Sequence, residues 1–223
     1  MNTYILHIET ATKVCSVALS LNGKLTASKE IEEEGYSHGE NLNCFIEDVL
    51  KVAKINIKEV SAISLASGPG SYTGLRIGAA TAKGLCYALD IPLIAIDALN
   101  SLAEIARVNH PDAVLCPLID ARRMEVYNSF FNVQNELIKE ISADIIDESS
   151  YSEFEPFVYF GDGSEKLQEI WNDKNCSIDI TIKSSAKGQI RLAHEKFAEK
   201  KFEDVAYWEP FYLKDFIAGK KAV

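Results

Sequence analysis

The chain has 223 residues, 47% of them hydrophobic and 25% charged, enough for one large domain or two small lobes. Its formal net charge of −10 opposes unaided binding to a polyanion, because such binding rests on lysine and arginine neutralising phosphates. Five cysteines, an odd number without a C-x-x-C spacing, point to reduced thiols rather than a disulfide framework. No apolar run is long enough for a membrane span and no cationic region precedes a signal-like run, so the expectation is a soluble cytoplasmic protein.

Tyr4-Ile5-Leu6-His7-Ile8 predicts a buried strand ending at Glu9 and a Thr-rich turn, with His7 a strand residue satisfied by a neighbour. Val14 to Leu21 is a second strand, and Asn22-Gly23 a hairpin turn into a third from Lys24 to about Glu32. Gly35-Tyr36-Ser37-His38-Gly39 reads as a loop whose His38 is either solvated or within reach of an active site. A helix from about Glu40 to Lys54 carries Leu42, Phe45, Ile46, Val49, Leu50 and Ala53 on one face.

An alternating apolar run, Ala62 to Ser67, then meets Gly68-Pro69-Gly70, where the glycines permit positive φ and the proline fixes its own. Ser71 or Thr73 can cap the following helix, about Tyr72 to Leu89. That helix carries Gly74, Gly78 and Gly84, each about 1 kcal/mol worse than alanine in a helix interior. Gly74, Gly78, Ala82 and Cys86 form one row of small side chains, which lets another backbone come close. Arg76 places a cation in the first turn, where the helix dipole disfavours it. A strand at Pro92–Ile96 and a helix from about Ala98 to Val108 complete the half.

A three-strand meander followed by helix, strand, helix, strand, helix fits a ribonuclease H-like lobe of the kind found in actin, sugar kinases and heat-shock chaperones. The second half starts the same pattern again. Val114–Ile119 is closed by Asp120 as the first strand is closed by Glu9. Strands at Glu125–Asn132, about Leu137–Asp144, Phe157–Gly161 and Ile178–Ile182 follow, with helices at Ser164–Trp171 and Ala186–Lys200. The expected fold class is α/β: an actin-like (ASKHA) pair of ribonuclease H-like lobes. Residues 1–108 would form the first lobe, with 205–216 packing back or bridging, and 109–204 the smaller second lobe.

The chemistry legible in the motifs is sparse. G-x-G-x-x-x-G at Gly68 is one residue too long for a dinucleotide fingerprint, and no Gly-Lys-Ser/Thr follows. His7, His38, His110 and His194 form no H-x-x-x-H pair, so no metal site is expected. Ser71, Thr73 and Cys15 lack an evident base. Glu9 and Asp120 would either face one another across a cleft and orient Mg²⁺, or cap turns and accept backbone hydrogen bonds. The cations Lys183, Lys187, Arg191, Lys196, Lys200 and Lys201 are either a solvated face or a patch that touches a polyanion.

Ser67-Gly68-Pro69-Gly70-Ser71-Tyr72-Thr73-Gly74-Leu75-Arg76-Ile77-Gly78 resembles the hallmark of the TsaB (YeaZ) family of bacterial tRNA threonylcarbamoyladenosine synthesis. Ile8-Glu9-Thr10-Ala11-Thr12, Ile119-Asp120-Ala121-Arg122-Arg123-Met124-Glu125-Val126-Tyr127 and Glu209-Pro210-Phe211-Tyr212-Leu213 agree with it, in the family's order. The resemblance implies a non-catalytic subunit without a cofactor, a degenerate version of the fold that does not turn over ATP. Glu9 stands where many relatives carry Asp. Such a subunit docks on the paralogous, metal-containing TsaD, with the small ATPase TsaE joining, and meets tRNA only through the complex. Docking in the family uses paired helices. Leu42, Phe45, Ile46, Val49 and Ala53, with Gly74, Gly78 and Ala82, would therefore meet a partner's equivalent pair, or a second copy when the partner is absent. The alternative is that the small row packs on the chain's own sheet. Glu9, Gly68, Gly70, Ser71, Thr73, Arg76 and Asp120 would line any nucleotide at the subunit junction. A stand-alone ATP-dependent small-molecule kinase is the competing reading.

Overall fold

The computed structural model of the chain describes residues 2–32 and 38–214. Its elements run β1 (Tyr4–Glu9), β2 (Val14–Leu21), β3 (Lys24–Glu32), α1 (His38–Ala53), β4 (Val60–Gly68), α2 (Tyr72–Leu89), β5 (Leu93–Asp97) and α3 (Ala98–Asn109). The second half gives β6 (Val114–Asp120), β7 (Glu125–Phe131), β8 (Leu137–Ile145), β9 (Phe157–Phe160), β10 (Cys176–Asp179) and α4 (Ile190–Ala198). The two sheets have the orders β3-β2-β1-β4-β5 and β8-β7-β6-β9-β10. In each, an antiparallel meander of three strands is followed by two parallel ones. The halves are thus one topology used twice, the actin-like arrangement of two ribonuclease H-like lobes.

The first sheet is buried on both faces, which is why β1 and β4 are almost continuously apolar. Its front face carries Leu6, Ile8, Val17, Ile63 and Leu65 against Leu42, Phe45, Ile46 and Val49 of α1 and Ala79 and Ala82 of α2. Its back face carries Ile5, Ala62, Ile94 and Ile96 against Ala193, Leu192 and Phe197. The last helix, expected in the second lobe, therefore belongs to the first: the back face is apolar and α4 is its cover. The helix itself is shorter than expected, with a 3₁₀ turn at Ala186–Gln189 ahead of Ile190.

The second lobe replaces helices with rings. Only 3₁₀ turns at Ser152–Phe154 and Glu165–Leu167 stand where the first lobe has α1 and α2, and the expected helix at Ser164–Trp171 is not formed. Phe130, Tyr151, Phe157, Tyr159 and Trp171 fill that face instead, with Phe130 stacked on Phe154 at 4.2 Å and Tyr159 edge-on to Trp171 at 5.0 Å. The strand expected at Ile178–Ile182 stops at Asp179, whose Oδ1 accepts from the Thr181 amide at 3.0 Å and turns the chain. α3 is the wall between the sheets: Ala98 and Leu99 meet Leu75 and Ile119, while Leu102, Ala103 and Ala106 meet Leu115, Val158 and Phe160. Arg107 ties its C-terminal end, donating to the carbonyls of His110 (3.1 Å), Ala113 (2.8 Å) and Asn132 (2.6 Å).

Residues 204–214 return across the first lobe. Val205 and Trp208 pack on its core, Lys83 donates to the carbonyls of Ala206 (3.3 Å) and Trp208 (2.9 Å), and Lys214 pairs with Glu125 of β7. Residues 215–216 of this segment and 35–37 of the expected loop lie outside the described residues.

The glycines of α2 separate into two kinds. A Cβ at Gly78 would overlap Thr10 Oγ1 and stand 3.0 Å from Leu65 Cδ1, whereas one at Gly84 would meet nothing within 4 Å. Gly78→Val is expected to cost about 1–3 kcal/mol through overpacking. Gly84→Ala is expected to gain up to about 1 kcal/mol from helix propensity. Thermal unfolding of the two variants should therefore move in opposite directions.

Candidate functional site

The hallmark stretches, far apart in sequence, converge on the junction of the lobes. Ala11, Leu75, Ile119, Tyr127 and Tyr212 belong to one apolar cluster, so each of the four stretches contributes a side chain. At its centre the β1–β2 turn lies in a groove of α2. Cβ atoms at Gly70 and Gly74 would overlap the carbonyl oxygens of Ala11 and Thr10. The Ser71 amide donates to Ala11 O at 2.6 Å, and Ser71 caps α2 by accepting from Gly74 N at 3.2 Å. Gly68 sits at φ 107°, with its α-carbon facing the Phe211 carbonyl; a Cβ there would come within 2.6 Å of that oxygen. The Phe211 amide donates to Ser67 O at 2.7 Å. Thr73 is exposed on the first turn, and Arg76 lies over the Tyr72 ring at 4.0 Å.

The carboxylates do not face one another as a metal clamp. Glu9 is 1% exposed, and its Oε1 accepts from the Ala11 amide at 2.8 Å. Burial pushes it up to about 7 against hydrogen bonds from Ala11, Gln189 and Thr10, with Asp97 adding repulsion. Asp97, at the end of β5, caps α3 by accepting from Asn100 N at 2.7 Å and is itself pushed up to about 6 by burial. Asp120 is exposed, pairs with Lys166 and accepts from Arg122 N at 3.1 Å. Among the described residues no group of three or more His, Cys, Asp or Glu side chains is placed to hold a metal ion. The residues present therefore do not fit a Mg²⁺–phosphate cradle: one carboxylate is turned inward onto backbone, the other onto a lysine.

His7 and His38 are buried in the first lobe. His7 donates through Nδ1 to Ser64 Oγ (2.8 Å), because the Ser64 hydroxyl is committed to Gln189 Oε1 (2.5 Å), and its Nε2 accepts from Ser20 (2.8 Å). Burial holds His7 down at about 3. His38 is corrected from an open loop position: it is buried at the start of α1, with Nε2 2.9 Å from Thr12 O, and burial lowers its pKa.

The expectation for the helix faces is also corrected. Leu42, Phe45, Ile46 and Val49 are buried against the chain's own sheet, and Ala53 packs on the same cluster. Gly74 and Gly78 receive Thr10, and Ala82 is wholly buried. These side chains are consumed inside the chain because the sheet's front face has no other cover. What α2 leaves outside is a second small row, Ala80, Gly84 and Ala88, beside Tyr87 at 87% exposure; Val52 of α1 is 71% exposed. Most of the lysine cluster is ion-paired: Lys183 with Glu32, Lys187 with Glu30, Arg191 with Glu104 and Lys201 with Glu199, while Lys196 donates to Ala95 O at 2.7 Å.

A site segment without a family motif is Gly161-Asp162-Gly163-Ser164, which closes β9 as Ser67-Gly68-Pro69-Gly70-Ser71 closes β4. Gly161 is at φ 98° against the Leu118 carbonyl, the Gly163 amide donates to that same carbonyl at 3.2 Å, and Asp162 accepts from the Asp120 amide at 3.0 Å. Its signal was the repeat itself, a glycine turn after the fourth strand of each lobe.

The fold and this junction define an actin-like chain whose glycine-started helix is seated on its own backbone and whose lobes meet through an apolar cluster. The profile of the TsaD family, described as tRNA N6-adenosine threonylcarbamoyltransferase, matches residues 32–218. The tRNA threonylcarbamoyladenosine biosynthesis protein TsaB of Escherichia coli strain K12 is 30% identical over 97% of this chain and 97% of its own. TsaB of Haemophilus influenzae is 28% identical over 99% and 97%. The solved structure of YeaZ from Pseudomonas aeruginosa superposes with a TM-score of 0.81 at 26% identity, covering 95% of this chain and 100% of that one. The chain belongs to the TsaB (YeaZ) family.

Glu9 gives the junction a pH dependence. Its folded value, about 7, lies above the ordinary 4.5, so the folded state holds the extra proton between them. Its contribution therefore weakens stability as pH rises through that window. His7 runs in the opposite sense, losing stability as pH falls below its ordinary 6.5. The measurement is thus a difference: from pH about 5 to about 8, Glu9→Gln should gain stability relative to wild type. A difference that stays flat with pH refutes the assignment.

Proposed function

We propose that this chain is the docking and activating subunit of a tRNA threonylcarbamoyl transfer assembly, without chemistry of its own. A separate enzyme makes threonylcarbamoyl-adenylate from threonine, bicarbonate and ATP. A paralogous TsaD-like subunit then transfers the threonylcarbamoyl group to the exocyclic amine of the adenosine following the anticodon. This chain binds that subunit and holds it in its active arrangement, with a TsaE-like ATPase joining. It needs no cofactor, pairs with itself when the partner is absent, and meets tRNA only through the assembly. The family membership and the match to the TsaD profile support the pathway and the kinship with the catalytic subunit.

The observation that carries the docking role is the outer face of α2. Ala80, Gly84 and Ala88 repeat at i, i+4 and i+8, and open space lies over Gly84. A helix of a partner with the same fold can approach such a row closely. Tyr87 and Tyr207, at 87% and 85% exposure, stand out as aromatic anchors, the second on the turn that Lys83 holds against α2.

Gly84→Asp combined with Tyr87→Asp should weaken binding to the purified catalytic subunit at least about tenfold, or roughly 1.4 kcal/mol, with the melting temperature nearly unchanged. The buried-row variant Gly78→Val should do the reverse. Normal binding by the double Asp variant would move the interface off α2.

Glu9→Ala and Asp120→Ala, where they stay folded, should leave modification by the reconstituted assembly largely intact. Loss beyond about a thousandfold, some 4 kcal/mol of barrier, with assembly preserved would restore a catalytic role. ATP turnover by the chain alone would favour the kinase reading.

A further inference from the structure

The β6–β7 turn is built from residues that its backbone does not favour. Arg122 and Arg123 stand at φ 71° and 51°, in the left-handed region where glycine is at ease and a side chain is strained. The turn is closed by Glu125 N donating to Arg122 O and Ala121 N to Glu125 O, each at 3.1 Å, with Asp120 accepting from Arg122 N and Lys166 donating to Glu125 O at 2.7 Å. Both arginines are exposed, and neither makes an ion pair among the described residues. Packing therefore gives no reason for arginine at either position.

The turn continues into a strip along the lobe junction. Glu125 pairs with Lys214, two residues beyond Tyr212. The Tyr212 ring lies 5.0 Å from that of Tyr72, over which Arg76 is stacked. The nearby acids are already neutralised, Asp120 by Lys166 and Glu125 by Lys214. Among the described residues Arg76, Arg122 and Arg123 have no ion-pair partner, on a chain of net charge −10, whereas Lys183, Lys187 and Arg191 are each paired.

We infer that this strip is where the chain touches RNA. It rests on the assembly proposed above and names the surface through which that assembly holds its substrate. Guanidinium groups fork phosphate oxygens bidentately, and cations running beside tyrosine rings suit a phosphodiester backbone whose bases can stack. Against a net charge of −10, three arginines give the isolated chain only a weak contact, seen at low salt, which a partner's own cations strengthen.

The test uses the chain assembled with its catalytic partner and a tRNA transcript. Arg122→Gly combined with Arg123→Gly should lower tRNA affinity at least about tenfold near physiological salt and reduce the steepness of log K against log salt by about one to two. The melting temperature should hold or rise, because glycine relieves both φ values. Arg122→Lys with Arg123→Lys should keep most of the salt dependence. Unchanged affinity and slope in the glycine variant overturn the inference. So does weakened assembly with normal RNA binding once assembled, which would give the strip to an acidic protein surface instead. If the wild-type chain does not assemble with the partner, the docking proposal fails separately. The full chain alone, photo-crosslinked to tRNA at about 0.01 M salt, where the Debye length reaches about 30 Å, then decides. Crosslinks should fall on Tyr72, Tyr212 or residues 122–127; crosslinks elsewhere, or none, reject the strip.

Discussion

The structure depends on one close approach, the seating of the Thr10–Ala11 backbone in the groove that Gly70, Gly74 and Gly78 leave along α2. An α-helix N-terminus presents unsatisfied amides, and a glycine-rich loop ahead of it is a natural anion site. Here that capacity is used internally: the Ser71 amide goes to Ala11 O and the Gly74 amide to the Ser71 side chain. The glycines thus bring protein backbone, rather than phosphate, to the helix start. The inward turn of Glu9 onto the Ala11 amide and the placing of His38 under Thr12 O follow from the same seating.

The two lobes solve one packing problem in two ways. Each sheet needs cover on both faces, but the second half has no long helix between β8 and β10. Rings supply the missing volume, since an aromatic side chain buries more area per residue than any aliphatic one. α3 then serves both lobes, facing Leu75 at one end and Phe160 further along, and Arg107 locks its end to the first strands of the second lobe. An element shared this way couples the lobes, so the junction is a packed wall and not an open hinge.

Much of this was legible in the residues. The meander and its hairpin at Asn22-Gly23, the glycine-started helix and the repeated strand order all lie in local periodicity and turn chemistry. The reading failed where tertiary context decides. Periodicity shows that Leu42, Phe45 and Ile46 share a face, yet a stripe facing a sheet and a stripe facing a partner look the same. The small row of α2 is visible in the sequence, but its occupant, Thr10, lies more than sixty residues away. A second small row, Ala80-Gly84-Ala88, raises no compositional alarm, because alanine is at home in a helix. The placement of α4 on the first sheet was hidden for a similar reason: its apolar face names no partner.

Glu9 shows how a polar residue can be kept at a cost in stability. Burial with a carboxylate-sized desolvation penalty is unfavourable at neutral pH, and Asp97 nearby adds to it. What the carboxylate supplies in return is a brace. It holds the β1–β2 turn through Ala11 and meets Gln189, whose amide also donates to Ile8 O at 2.7 Å and whose oxygen takes the Ser64 hydroxyl. Gln189 opens α4, so the chain of bonds runs from the glycine groove through the sheet to the helix on its back face. A shorter side chain reaching from the same backbone would have to give up one end of that span. The extra methylene of glutamate, which weakens it as a metal ligand at this position, suits it to joining the two faces of the lobe.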